Sequence, residues 1–267
     1  MAAAPAQPWG DVAARTLAVG QRVDRFEVLA PVRAGGMGEV YVARDTATDA
    51  RVALKVMNGS SAASAERFER EGRIAMALSH RHIVAGHGVG RTADGRAWIA
   101  MELLKGEDLE ARLSRGPLTP GDAVRVASQL CEALAHAHAR GVVHRDLKPS
   151  NVFLCEAEAI DLRVLDFGVA RLADDQSLTR TGSPIGTPSY MSPEQARGER
   201  DIDARSDLWS VGVLLHECLT GTVPFHAASV VGTLYLIVSA DPPDLARAHP
   251  TLPRALADLV RRCLSRR

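Results

Sequence analysis

The hydrophobic pattern of this chain changes period once, and that change limits the fold more than any other feature. From about Arg25 to Met101 the apolar residues fall in short β-branched runs, FEVLAPV (26–32), EVYVAR (39–44), RVALKVM (51–57), IVAGHGVG (83–90) and RAWIAMEL (96–103), separated by Gly, Asp and Thr turn signals. One segment, SAERFEREGRIAMALSH (64–80), breaks this pattern: Phe68, Ile74 and Leu78 recur at helical spacing, with Ser64 as N-cap. After Gly106 the period turns helical. A short helix is expected over Leu109–Leu113, a long Ala-rich one over Thr119–Arg140 with Gly141 as C-cap, and others over 204–219 (closed by Gly221), 228–238 and 252–265. A sheet-rich part meeting a helical part near 103–106 gives an α+β protein, with a cleft expected where they join.

Charge narrows the partners. With 32 Lys+Arg against 32 Asp+Glu the chain is formally neutral, which argues against a partner held by global electrostatics, so no nucleic acid and no anionic bilayer is expected. A hydrophobic share of 46% with 24% charged residues is globular composition, and 267 residues suffice for a sizeable core. No apolar run is long enough for a membrane span. The four cysteines form no CxxC pair, so reduced thiols and a cytoplasmic location are expected. Residues 1–22 read as a flexible Ala/Pro-rich leader without signal-peptide character.

Three motifs carry chemistry. The turn RAGGMGEVY (33–41) lies between two expected strands and is followed, 17 residues after Gly38, by Lys55 within VALKV. Glycines let backbone N–H groups approach phosphate oxygens, and an ammonium among apolar neighbours needs a partner, for which Glu71 on the next helix is available. In HRDLKPSN (144–151), Asp146, Lys148 and Asn151 are spaced so that a compact loop brings them to one point, and LDFG (165–168) adds Asp166. Asn151 and Asp166 offer hard oxygens suited to Mg²⁺, while Asp146 can deprotonate a hydroxyl and Lys148 offset phosphoryl charge. Other features read as structural. His136 and His138 are two apart on a helix and face different ways, GHGVG (86–90) precedes a hairpin, and the basic end RRCLSRR complements a helix dipole.

In this order and spacing, the motifs closely resemble a bacterial eukaryotic-like (Hanks-type) Ser/Thr protein kinase catalytic domain, over about Val23 to Cys263. GTPSYMSPEQ (186–195) is similar to the end of an activation segment, with SPE in place of the commoner APE, and DLWSVGVLL (207–215) to the central helix of the large lobe, with Asp207 bracing the catalytic loop. The resemblance implies a bilobal protein-kinase fold, with a small β-rich N-lobe over about 23–103 and a larger α-helical C-lobe over about 106–267. It implies ATP as phosphoryl donor, Mg²⁺ or Mn²⁺ as metal, protein Ser/Thr hydroxyls as acceptors, and room for a back-to-back or activation-segment dimer. By the same token Asp146 is the catalytic base, Lys148 contacts the γ-phosphate, and Asn151 and Asp166 hold the metal. Nucleotide contacts fall on Val32, Gly35, Gly36, Gly38, Val40, Ala53, Lys55 paired with Glu71, gatekeeper Met101, the backbone of Glu102 and Leu104, and Asp108 toward the ribose. Arg145 before Asp146 implies control by activation-loop phosphorylation, with Thr179 and Thr181 as the autophosphorylation sites and Thr187 structural.

Two departures stand out. Arg33 takes the place of the first glycine of GxGxxG. The family would also continue past CLSRR with an arginine that pairs with Glu194, so the chain reads as a piece of a longer protein. Two other functions compete with an active kinase: a nucleotide-binding pseudokinase, which Arg33 and the expected missing end keep open and the intact Lys55, Asp146, Asn151 and Asp166 oppose, and a small-molecule phosphotransferase, which Lys148 and the long GTPSYMSPEQ segment oppose.

Overall fold

The computed structural model describes residues 17–35, 38–58, 62–167 and 188–266. They divide into two compact units, one of residues up to Glu69 together with His87–Leu103, the other of Arg70–Gly86 together with Leu104 onward.

In the first unit, six strands among the described residues form one sheet, β1 (Arg22–Val23), β2 (Phe26–Gly35), β3 (Gly38–Asp45), β4 (Arg51–Met57), β5 (Gly86–Arg91) and β6 (Ala97–Glu102), in the order β1-β2-β3-β4-β6-β5, with β1 to β4 and β6 paired antiparallel. The side-chain period of two sorts the residues onto faces. Tyr41 and Ala43 of β3, Val52, Leu54 and Val56 of β4 and Trp98 and Ala100 of β6 are buried in one cluster with Val23, Phe26 and Val28. Leu17 completes this cluster at 2% exposure, and its N–H donates to the Tyr41 hydroxyl at 3.1 Å, so Leu17, within the expected leader 1–22, packs into the sheet core, while residues 1–16 lie outside the described residues. Pro31 sits at a register shift between β2 and β3, where a residue without an N–H is tolerated.

The expected helix is α1 (Ala62–Ala77), which starts before Ser64. Ser64 is therefore inside its first turn and not its N-cap, because Ala62 and Ala63, strong helix formers, extend it. In the first unit Ala65 and Phe68 of α1 pack with Ala97 and Ile99 of β6. The run 83–90 is only half strand. Ile83 and Val84 belong to the second unit, where both are buried, Ile83 in a parallel bridge to Val164 and Val84 donating to the Val164 carbonyl at 3.1 Å.

The second unit is mainly helical. A small sheet, in the order β7 (Gly106–Asp108), β8 (Val152–Cys155), β9 (Leu162–Val164), is accompanied by α2 (Leu109–Leu113), α3 (Pro120–His138), α4 (Pro193–Ala196), α5 (Arg205–Thr220), α6 (Val230–Ser239), α7 (Leu245–Ala248) and α8 (Arg254–Cys263). Thr119 caps α3 by accepting from Asp122 N, and Ala123, Val126, Leu130, Ala133, Leu134 and Ala137 form its buried stripe at i, i+3, i+4 spacing. Its C-cap is Ala139, not Gly141, which lies two residues further on with φ 73°. Helix α5 has twelve buried residues spread round its circumference, as a helix at the centre of a core must. Gly221 ends it in the left-handed conformation at φ 75°. Among the described residues no helix is long and apolar enough to cross a membrane.

The loop after α1 carries a histidine cluster. The ring centroid of His80 lies 4.9 Å from that of His136 on α3 and 5.7 Å from that of His82. Burial, then His136 and His82, with Arg81 as a smaller contribution, lower the His80 pKa, against an opposing pull from Glu132. A histidine held below its unfolded value stabilises the fold above about pH 6.5 and loses that contribution as pH falls through the folded value. Replacing it by His80→Gln should therefore shrink the fall in Tm between pH 7 and pH 5 without abolishing it, since buried His216 is lowered by burial in the same sense. Equal acid sensitivity of the two proteins by thermal melts would refute this.

Candidate active site

Strand register brings most of the first-unit candidates onto one face. Val40 lies directly opposite Lys55, and Ala53 lies between Val42 and Met101 in neighbouring strands. These residues alternate with the buried Tyr41, Leu54 and Ala100, so Val40, Ala53, Lys55 and Met101 share the face opposite the Tyr41 core. Lys55 is half-buried, with Nζ 5.7 Å from the centroid of the Phe68 ring on α1, a cation–π contact. Gly35 and Gly38 close the register of β2 against β3 as a facing pair. A Cβ on Gly38 would stand 2.5 Å from the Val56 carbonyl oxygen, so glycine is required there by β4. One on Gly35 would meet nothing closer than 3.8 Å. Val32 is exposed on β2, as is Arg33, and Glu102 ends β6. Gly36, Thr179, Thr181 and Thr187 lie outside the described residues.

In the second unit, Asp146, Lys148 and Asn151 are brought together. Lys148 Nζ is 2.8 Å from Asp146 Oδ2, and Asn151 Nδ2 donates to the Asp146 carbonyl at 2.8 Å and to Oδ2 at 3.3 Å. With its amide nitrogen committed to Asp146, Asn151 is left with Oδ1 as its acceptor. Asp166 follows β9, and Leu165 N donates to the Asn151 carbonyl at 2.9 Å, which ties the two segments together. Asn151 Oδ1 and the Asp166 carboxylate are hard oxygens, a donor set that fits Mg²⁺, which takes one or two protein oxygens and completes its octahedron with water and phosphate. Leu104 lies between β6 and β7. Asp108 is the N-cap of α2, its Oδ1 accepting from Ala111 N at 2.8 Å, and Glu71 is buried on α1.

Beneath the Asp146 loop sits Asp207, fully buried in the first turn of α5. Its carboxylate accepts from His144 N at 2.9 Å and Arg145 N at 2.8 Å, and His138 Nε2 lies 2.7 Å away. Burial opposes the charge, but the His138 hydrogen bond, the nearby His144 and the two backbone donors outweigh it and hold the carboxyl below its usual range. The two consecutive amides can meet one carboxylate only if the chain turns sharply, and Arg145 does so with φ 66°. His144 continues the network, its Nε2 3.0 Å from the Leu165 carbonyl, its Nδ1 accepting from Asp146 N at 3.3 Å, and its ring 4.8 Å from that of Phe167. Asp166, like Arg145, has positive φ, at 44°.

Two residues of this site were not singled out in the sequence. His138, which the helix period set aside, orients Asp207 from 69 positions away, and Gln195 donates through Nε2 to the Arg145 carbonyl at 2.7 Å. Only the motif context of Gln195, directly after SPE, pointed toward it. Glu194, expected to need an arginine, is half-buried and accepts from the Ser206 hydroxyl, which lies 3.0 Å from that of Ser192.

Comparison with known proteins agrees with this geometry. The family model described as protein kinase domain matches residues 26–267. The serine/threonine-protein kinase Pkn2 of Myxococcus xanthus is 43% identical over 251 residues, covering 91% of this chain and 30% of that protein. PknB of Mycobacterium tuberculosis is 39% identical over 252 residues, covering 91% of this chain and 40% of its own length. The chain thus spans under half the length of these relatives. Among solved structures, the PknI kinase domain of Mycobacterium tuberculosis superposes with TM-score 0.73 at 28% identity, over 94% of this chain and 91% of that one. The chain belongs to the protein kinase domain family and has its α+β fold.

Replacing Asp207 by Asn exchanges a carboxylate that accepts on every side for an amide with two donors facing N–H groups. Asp207→Asn should lower unfolding free energy by about 3 kcal/mol, the scale for breaking a buried hydrogen-bonded charge. Urea denaturation reads this, and a loss below about 0.5 kcal/mol, within the range of an ordinary surface substitution, would contradict the bracing role.

Proposed function

We propose that this chain is the catalytic domain of a Ser/Thr protein kinase, transferring the γ-phosphoryl group of ATP to a Ser or Thr hydroxyl of a protein substrate. The observation that carries the reading is the Asp146 carboxylate, held between Lys148 Nζ and Asn151 Nδ2 at the turn braced by Asp207. A carboxylate positioned in this way takes the proton of an attacking hydroxyl while orienting its oxygen toward phosphorus. Lys148 both fixes Asp146 and offsets negative charge on the group in transfer. Lys55, Val40, Ala53 and Met101 on one sheet face are the nucleotide-binding side chains, the lysine for α- and β-phosphates and the apolar residues for adenine. Asn151 and Asp166 would hold Mg²⁺, or Mn²⁺ in its place, which when bound neutralises phosphate oxygens. The names of the relatives support hydroxyl-directed protein phosphorylation.

Incubation with labelled ATP and Mg²⁺ and a generic protein substrate tests this. Asp146→Asn should lower transfer by at least about a hundredfold, the scale of losing a general base. Transfer that does not depend on Asp146, or none to any protein, would remove the reading.

The activation segment is read as a phosphorylation switch at Thr179 or Thr181. A phosphothreonine adds nearly two negative charges for a guanidinium to meet. Arg145 is the candidate, and its NH2 now donates to the Ile202 carbonyl at 3.1 Å, a neutral acceptor that a phosphate would displace. Phosphopeptide mass spectrometry after Mg-ATP treatment should find phosphate on one of these threonines in the active protein and none in Asp146→Asn. An active, fully unmodified sample would rule the switch out.

A further inference from the structure

We propose that Gln195 is a positioning residue for Asp146, coupling the first turn of α4 to the catalytic loop through the two ends of one side-chain amide. The inference rests on the kinase reading for its effect on rate, though not for the contact itself.

Gln195 Oε1 accepts from Ser192 N at 3.0 Å, while Nε2 donates to the Arg145 carbonyl at 2.7 Å. Only one orientation of the amide satisfies both, because an N–H must meet an oxygen and a carbonyl must meet an N–H. The Oε1 contact closes a capping box with the Ser192 hydroxyl, which accepts from Gln195 N. The Nε2 contact is a different matter, since it reaches 50 positions back to the one residue of the loop with a left-handed backbone. Arg145 is held at its N–H by Asp207 and at its carbonyl by Gln195. That carbonyl belongs to the same planar peptide group as Asp146 N–H, which donates to His144 Nδ1 at 3.3 Å. The peptide between Arg145 and Asp146 is thus fastened at both edges. Without the Gln195 donor it can rotate about its flanking bonds, relieving the left-handed turn and re-aiming the Asp146 side chain.

The chemistry explains why an amide stands here. Glutamate serves a capping box equally well, yet it cannot donate to a carbonyl when ionised. Gln195 therefore makes a folded α4 turn, at the end of the segment that carries Thr179 and Thr181, a condition for an ordered Asp146.

Gln195→Glu separates the two functions, keeping the cap and removing the donor, and Gln195→Met removes both at similar volume. Two readouts apply: amide hydrogen exchange at Arg145 and Asp146, and steady-state kinetics. At pH 8 both variants should exchange faster at these two amides and lose roughly tenfold in kcat with little change in KM for ATP, as expected for a displaced catalytic group. Unchanged exchange at Arg145 and Asp146 in both variants overturns the proposal, as does a wild-type kcat in both. If wild type transfers no phosphate, the kinase reading fails while the exchange comparison still decides the positioning. Should Gln195→Glu not fold, Gln195→Met carries the exchange test.

Discussion

A single buried carboxylate organises the second unit. Asp207 sits where the N-terminal end of α5 favours negative charge and where His138 and two consecutive backbone amides converge. Burying an ion without partners would be prohibitive, and here each donor lowers that cost while being fixed by it. The amides of His144 and Arg145 can both reach Asp207 only through the left-handed turn at Arg145. That turn sets the direction of Asp146, the His144 ring then reaches the Leu165 carbonyl, and Leu165 is bound in turn to the Asn151 carbonyl. From one acidic residue, the placement of Asp146, Asn151 and Asp166 follows through a short chain of contacts.

The first unit solves a different problem, that of holding a cation on an apolar sheet. Alternation along β3 and β4 sends Tyr41, Leu54 and Val56 into one core and leaves Val40, Ala53 and Lys55 on the other face. A lysine in the middle of a strand is helped by the π face of the Phe68 ring, and the residue as a whole is only half-buried. Gly38 serves packing before any ligand: the Val56 carbonyl occupies the space a side chain would need.

What the sequence made legible follows from range. Strand faces, the α3 stripe and the cap at Gly221 depend on neighbours a few positions away, and the periodicity exposes them. Asp146, Lys148 and Asn151 are likewise local, so their spacing alone implies convergence. Illegible were the contacts across long separations. His138 looks like any exposed-face helix residue until α5 brings Asp207 beside it, and Ile83 and Val84 read as strand until β9 claims them. The α1 start was misplaced because Ser64 carries a capping signal that two preceding alanines override.

The adjacent pair Glu194 and Gln195 ties the α4 turn to two other segments of the second unit. Glu194 takes a hydroxyl donor from Ser206, itself linked to Ser192, with Arg205 contributing positive charge nearby. A hydrogen bond to a carboxylate is charge-assisted and stronger than a neutral one, so Ser206 and Glu194 tie the α4 turn to the start of α5. The capping box of Ser192 and Gln195 and the Arg145 contact at 2.7 Å add to that anchorage. The same serine, Ser192, enters both networks, through its hydroxyl toward Ser206 and through its N–H toward Gln195. Among the described residues the α4 turn is thus held by several side-chain hydrogen bonds that form together, and a set of that kind is lost together when the turn opens.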